Sequence, residues 1–252
     1  MKKTVMIMAI ALVGSFAHAA TIENWQMNDD PGTDLKDLNN SAGTAKWYVA
    51  RTNLQTDGSG NLHITQGANL FNGANLSTTD VTSGIYELAV TYSAADMTDG
   101  DIAGGSVGFS FRHDSAVVAE RHDLAIIKLV KRNGELRLEA LGSGPAVTLY
   151  DFNATVLPDT LAVRAVLNLD TDLVDVYYSI GGAAEVSTLG IAASDGELDQ
   201  VRTAFQVVSP DFGATSYVDV DQVTLSVIPE PATLGLIALS GVGLLVARRF
   251  HM

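Results

Sequence analysis

The sequence predicts an all-β fold, a two-sheet antiparallel β-sandwich, framed by a short apolar segment near each terminus. Three observations carry this prediction. From residue 20 to 227, short runs alternate apolar and polar residues and are separated by Gly, Asn and Asp, which is the period-two pattern of half-buried strands. Little in that stretch repeats with helical spacing, so no covering helices are expected and two sheets must cover each other. The 252 residues include no cysteine, so burial alone stabilises a body of roughly 200 residues, a length that supports a sizeable single core.

Taken in chain order, the first element is not part of that body. Lys2 and Lys3, the unbroken apolar run from Val5 to Val13 and the small-x-small triplet Ala17-His18-Ala19 have the layout of a secretory signal peptide. The run is shorter than the about 20 apolar residues a permanent span requires. Residues 1–19 are therefore read as a signal peptide, with Ala17 and Ala19 placing the cut of a signal peptidase after Ala19. The mature chain is expected to leave the cytoplasm.

The body, residues 20–227, is strongly acidic. Removing Lys2, Lys3, Arg248, Arg249 and Glu230 from the totals of 15 basic and 29 acidic residues leaves 11 and 28, a net charge of −17. Such a surface repels phosphate backbones, so no nucleic-acid partner is expected. It also favours solubility.

The clearest strand pair runs from Leu124 to Lys131 and from Glu135 to Leu141. Leu136, Leu138 and Ala140 point one way there, and Glu135, Arg137 and Glu139 point the other, toward solvent. Asn133-Gly134 between them is a type I′ turn signal. A second hairpin joins Leu161–Leu169 to Leu173–Ile180 through Asp170-Thr171-Asp172, because the alternating apolar sets of the two arms can share one core. Gly181-Gly182 turns the chain again. Further strands are expected at 47–52, 61–65, 84–93, 106–112, 200–208 and 217–227, about ten in all on this period-two reading. In the last of these, Val218 and Val220 have one parity and Val223, Leu225 and Val227 the other, which a β-bulge near Asp221-Gln222 accounts for. The Gly and Asn residues between Gln66 and Asn75 read as a loop.

Residues 228–252 form a separate tail. Pro229-Glu230-Pro231 can continue neither strand nor helix. Ala232 to Ala247 follows, 16 residues with only Thr233 and Ser240 polar, about 24 Å as a helix and a marginal transmembrane span. Arg248 and Arg249 then suit the cytoplasmic interface. The order Pro-Glu-Pro, apolar segment, Arg pair resembles the PEP-CTERM sorting signal of Gram-negative bacteria. That resemblance implies recognition of Pro229, Glu230 and Pro231 by an exosortase-like membrane transpeptidase. It also implies transient anchoring through the helix at 232–247 and a destination at the cell surface or in the matrix of bacteria that make exopolysaccharide.

The body, through Gly108-Phe109-Ser110-Phe111-Arg112, the hairpin around Asn133-Gly134, Leu161–Ile180 and Val218-Asp219-Val220-Asp221-Gln222-Val223, resembles a concanavalin A-like jelly roll of the laminin-G or carbohydrate-binding-module kind. The resemblance implies an extracellular polysaccharide partner. It further implies a structural calcium joining the first and last strands, with Glu23, Asp219 and Asp221 as oxygen ligands. No other cofactor is expected.

Several residues invite a chemical reading. Arg112-His113-Asp114 recurs as Arg121-His122-Asp123, and paired strands would bring the imidazoles and carboxylates together, as a hydrogen-bonded strand end in the first reading or as a metal or acid–base centre in the second. Glycosidases of the resembled fold place their paired carboxylates in a Glu-x-Asp-x-x-Glu motif, about 5 Å apart, and no such motif occurs. Glu135 and Glu139 share a strand face but have Arg137 between them. Asp170, Asp172 and Asp175 lack the Gly and terminal Glu of an EF-hand loop and read as turn formers. Trp25 and Trp47 are the large aromatics available either to stack a sugar or to fill the core. No Gly-x-Ser-x-Gly, His-Glu-x-x-His or phosphate-cradling loop is present. The expectation is thus a non-catalytic surface or matrix protein. A secreted polysaccharide-acting enzyme centred on His113 and His122 is the alternative.

Overall fold

A computed structural model describes residues 20–38, 47, 54–65, 70–75, 81–98, 106–113, 122–198, 200–206 and 215–229. Residues 1–19, expected to be a signal peptide with Ala17 and Ala19 at its cut, lie outside them. So does the tail from Glu230 onward, with Pro231, the apolar segment 232–247, Arg248 and Arg249. Among the described residues no helix is long and apolar enough to cross a membrane.

The fold is all-β. In chain order the strands are β1 (Ala20–Gln26), β2 (Leu54–Thr56), β3 (Leu62–Ile64), β4 (Leu70–Asn75), β5 (Ile85–Asp96), β6 (Ser106–His113) and β7 (His122–Arg132). They continue with β8 (Glu135–Leu141), β9 (Val147–Asp151), β10 (Leu161–Asn168), β11 (Leu173–Ile180), β12 (Val186–Ala192), β13 (Gln200–Gln206) and β14 (Tyr217–Ile228). The first sheet runs β12-β11-β10-β5-β14-β3-β2, with β1 also paired to β14, and the second runs β4-β13-β6-β7-β8-β9. Every described strand pair is antiparallel, and the chain is a two-sheet antiparallel β-sandwich.

Both expected hairpins form. Asn133 and Gly134 take φ of 53° and 83°, the left-handed pair that a type I′ turn needs. The β10–β11 register sets Leu161, Val163, Ala165 and Leu167 opposite Ile180, Tyr178, Val176 and Val174, so the two alternating sets share one core. The register of β14 on β5 shifts at Asp219/Val220 and again at Val220/Gln222. The shift lets Val218, Val220, Val223 and Leu225 all bury completely although their parity changes between them.

Two expectations are corrected. The strands number fourteen among the described residues, not about ten, because β1, β2, β4, β9 and β12 carry little of the alternation that marks a strand. The supposed loop at Gln66–Asn75 contains β4, which pairs with β13 at the edge of the second sheet. The core lies between the two sheets and includes Trp25, Trp47, Tyr92, Phe109 and Phe111. An apolar gap between β5, β6, β7 and β10, lined by Leu88, Tyr92, Phe109 and Val163, is a packing void within that core and not a ligand pocket.

Candidate functional site

The repeated Arg-His-Asp triplets meet across one ladder. In the β6–β7 register Arg112 stands opposite Asp123 and His113 opposite His122. An Arg-His-Asp sequence read against itself in antiparallel places unlike charges opposite each other and imidazole opposite imidazole, so the repeat is complementary as a strand pair. Asp114 and Arg121 fall outside the described residues. The Arg112 guanidinium is 3.5 Å from the Asp123 carboxylate, which also accepts from Ser110 Oγ at 2.7 Å.

The two imidazoles lie edge to face with centroids 5.5 Å apart. His113 Nδ1 donates to the Glu197 carbonyl at 3.1 Å and His122 Nε2 to the Asp195 carbonyl at 2.6 Å. Gly196 between those carbonyls packs on both histidines and on Leu124: a Cβ there would come within 2.9 Å of Leu124 Cδ2, 3.2 Å of His122 Nε2 and 3.4 Å of His113 Cβ. The pair therefore clasps the segment that follows β12.

The residues expected to hold calcium do not converge. Glu23 is opposite Leu225 in the β1–β14 ladder, and directly paired residues share a face, so its buried carboxyl is on the core side with Trp25 and Met27. Asp219 and Asp221 lie on the other side of the sheet, Asp221 exposed at the bulge. Among the described residues no group of three or more His, Cys, Asp or Glu side chains is arranged to hold a metal ion. Asp170 and Asp175 are hydrogen-bond acceptors for the Gly84 and Gly190 amides, and Asp172 sits at φ 51° in the β10–β11 turn. Asp170 and Asp172 are turn residues as expected; Asp175 is instead a strand residue that braces a bulge in β12.

Trp25 and Trp47 are both fully buried, with ring centroids 5.0 Å apart, so they are core and not a sugar platform. Glu139, expected in solvent, is buried on the outer face. Its carboxylate accepts from Arg132 Nε and Nη2 at 3.1 and 3.2 Å, and Lys128 Nζ is 4.0 Å away.

A different cluster lies on the outer face of the first sheet, where β3 pairs with β14 and sets His63 opposite Asp219. His63 Nδ1 donates to Asp219 Oδ1 at 2.6 Å, and the Tyr217 ring lies 5.3 Å from the imidazole, tilted 33°. The His63 side chain is 40% exposed and that of Asp219 only 14%. Burial pushes the Asp219 carboxyl up while His63 pulls it down, and burial wins.

Beside this dyad the β2–β3 turn is held by Asp57, which accepts from the Ser59 and Asn61 amides and from Asn61 Nδ2. Burial raises the Asp57 carboxyl, but those hydrogen bonds and the nearby His63 outweigh it, so it titrates below the ordinary aspartate range. Asn61 in turn accepts from Ser93 Oγ at 2.6 Å. The result is a solvent-reached imidazole with a buttressed tautomer, next to a tyrosine ring, an amide and carboxylates. Sequence reading included Asp219 here but not His63. Its only signal was the polar residue in the middle of Leu62-His63-Ile64, whose partner lies 156 residues away.

No family model matches the sequence, and no curated protein matches it. Solved structures are similar in fold. The binding domain of botulinum neurotoxin serotype D aligns at TM-score 0.52 and 12% identity over 88% of this chain, which spans about half (51%) of that protein's length. A carbohydrate esterase from the Shiga toxin-encoding bacteriophage phi24B aligns over 84% of this chain and 100% of its own at TM-score 0.49 and 11% identity. The basic lectin of winged bean, solved with Tn-antigen, aligns over 82% and 99% at TM-score 0.48 and 10% identity. At these identities the likeness concerns the β-sandwich fold alone.

Proposed function

We propose that this protein is an exported cell-surface or matrix protein whose β-sandwich is non-catalytic and binds extracellular polysaccharide, and that an exosortase-like transpeptidase processes its tail. The observation that carries the export half is the tail itself, Pro229-Glu230-Pro231, the apolar segment 232–247 and Arg248-Arg249 in that order, in a chain that opens with a signal-peptide layout. Support for the binding half is the β-sandwich and the cluster at His63, Asp219 and Tyr217. Ring faces beside amide and carboxylate groups are what sugar rings and hydroxyls engage. The net charge of −17 over residues 20–229 favours a neutral glycan over a polyanionic one, since like charges repel at close approach.

The test has two arms. In the native host, intact mass and fractionation of the protein are compared with a variant carrying alanine at 229–231; tail loss in the first and retention in the second is expected. For binding, retardation in gels containing the host's polysaccharide is compared between the wild type and His63→Ala/Tyr217→Ala. Equal mobility of the two proteins at every polysaccharide concentration removes this site from the proposal.

A second reading, an enzyme acting on polysaccharide, is favoured by one observation, that His113 and His122 are side by side. It predicts polysaccharide cleavage by the wild type that His113→Ala and His122→Ala each abolish. The clasp they form on residues 195–197 predicts instead a loss of stability.

A further inference from the structure

Consecutive ladder partners form a polar row across the outer face of the first sheet. Asp34 bridges to Gln55 of β2, Gln55 is opposite His63 of β3, and His63 is opposite Asp219 of β14. Directly paired residues share a face, and the neighbours Leu54, Leu62, Ile64, Val218 and Val220 are buried in the core, so the row looks outward. Three strand spacings of about 4.8 Å make it about 14 Å long, the length of a short oligosaccharide rather than of one sugar ring.

The hydrogen bonds within the row decide what it still offers. Gln55 Nε2 donates to Asp34 Oδ1 at 2.7 Å and His63 Nδ1 to Asp219 Oδ1 at 2.6 Å. A carboxylate only accepts, so the first bond turns the Gln55 amide oxygen away from Asp34, and the second fixes the neutral His63 tautomer in which Nε2 carries a lone pair. Beside the row, Asn61 Nδ2 donates to Asp57 Oδ2 and Ser93 Oγ to Asn61 Oδ1, so those donors are engaged as well. Asp34 Oδ2, Gln55 Oε1, His63 Nε2 and Asp219 Oδ2 remain as acceptors, against one spare amide hydrogen on Gln55.

We infer that the glycan site extends from Asp219 and His63 to Gln55 and Asp34, and that its occupant is a neutral glycan whose free hydroxyls act as hydrogen-bond donors. The inference rests on the reading of His63, Asp219 and Tyr217 as a glycan site and names the chemistry that site takes. A free hydroxyl brings the hydrogen that each acceptor lacks, whereas an ether or ester oxygen brings only another lone pair. A uronate would set a further negative charge beside Asp34 and Asp219. The Tyr217 ring, 5.3 Å from the imidazole, adds an apolar surface for the C–H face of a sugar ring.

The test is retention of the full-length protein on columns of the host's polysaccharide, native and O-methylated; methylation keeps the oxygens and removes the donor hydrogens. Wild type is expected to be held by the native polymer only, and equally in about 0.1 and 0.5 M salt. Gln55→Met, which keeps the shape and loses the amide, is expected to weaken retention about threefold to tenfold with unchanged circular dichroism. Thr91→Val, on the same face but opposite Gln222 and off the row, is expected to be held like wild type. The inference is overturned, with the glycan site itself intact, if His63→Ala/Tyr217→Ala is released but Gln55→Met is held like wild type, or if Thr91→Val weakens retention as much as Gln55→Met. It is overturned in the same way if the O-methylated polymer holds wild type equally, or if about 0.5 M salt releases it, since the occupant would then be a charged group. If wild type is not held, or His63→Ala/Tyr217→Ala is held like wild type, the glycan reading falls and this inference falls with it.

Discussion

Replacing Glu139 by glutamine removes the charge at the centre of the outer face of the second sheet while keeping its shape. The carboxylate is 5% exposed and accepts two hydrogen bonds from Arg132, whose own side chain is 42% exposed. Two unit charges about 4 Å apart attract by about 4 kcal/mol at the effective dielectric near a protein surface. Solvent access to the guanidinium and the cost of burying the carboxylate reduce the net value to about 1–2 kcal/mol.

A second effect adds to this. Burial lowers the Lys128 ammonium, Glu139 raises it, Arg132 lowers it, and the sum is a lowered value. Without Glu139 the half-buried Lys128 has lost its counter-charge. A cost of about 1.5 kcal/mol in a body of this size lowers Tm by about 3–6 °C. The assay is thermal unfolding by circular dichroism for Glu139→Gln, Arg132→Gln and the double variant. The expected coupling is about 1 kcal/mol, and Lys128→Met in the Glu139→Gln background is expected to recover part of the loss. A Tm change in Glu139→Gln of less than about 1 °C, or a coupling below about 0.3 kcal/mol, refutes the reasoning.

Other expectations follow from the same geometry. Because the Asp57 carboxyl is lowered in the folded protein, its contribution is present above its unfolded value near about 3.9 and is lost as pH falls through the folded value. Asp57→Asn should therefore melt below wild type at about pH 7, with the gap closing toward about pH 2–3; a gap independent of pH counts against the assignment. Trp25→Ala opens a cavity beside Trp47 and should cost about 3–5 kcal/mol, with Trp25→Phe retaining most of it. Equal melting temperatures for the three proteins would mean that the Trp25–Trp47 pair is not part of the core.

The parts of the fold that were legible share a physical character. The β7–β8 and β10–β11 hairpins could be read directly because turn chemistry and alternation act over a few residues, and Asn133-Gly134 specifies both turn and register. Strands β9 and β12 were not legible, since at the edge of a sheet neither face is fully buried and period two fades. Glu139 shows a different limit: alternation places it correctly on the outer face, but only the side chains of Arg132 and Lys128 lying over it decide that it is buried. The Arg112-His113-Asp114 repeat is visible in the sequence, but only the β6–β7 register makes it a complementary ladder, closing on Gly196.

What the sequence determined by itself is whatever depends on neighbours along the chain: the apolar segments near both termini, the acidic balance, the all-β class and the two hairpins. The tertiary structure alone decided which distant strands lie side by side. That choice joined His63 to Asp219 and separated Glu23 from Asp219 across a sheet. Strand pairing is made by backbone groups common to every residue, so a ladder partner 156 residues away leaves no local mark on the side chains it brings together.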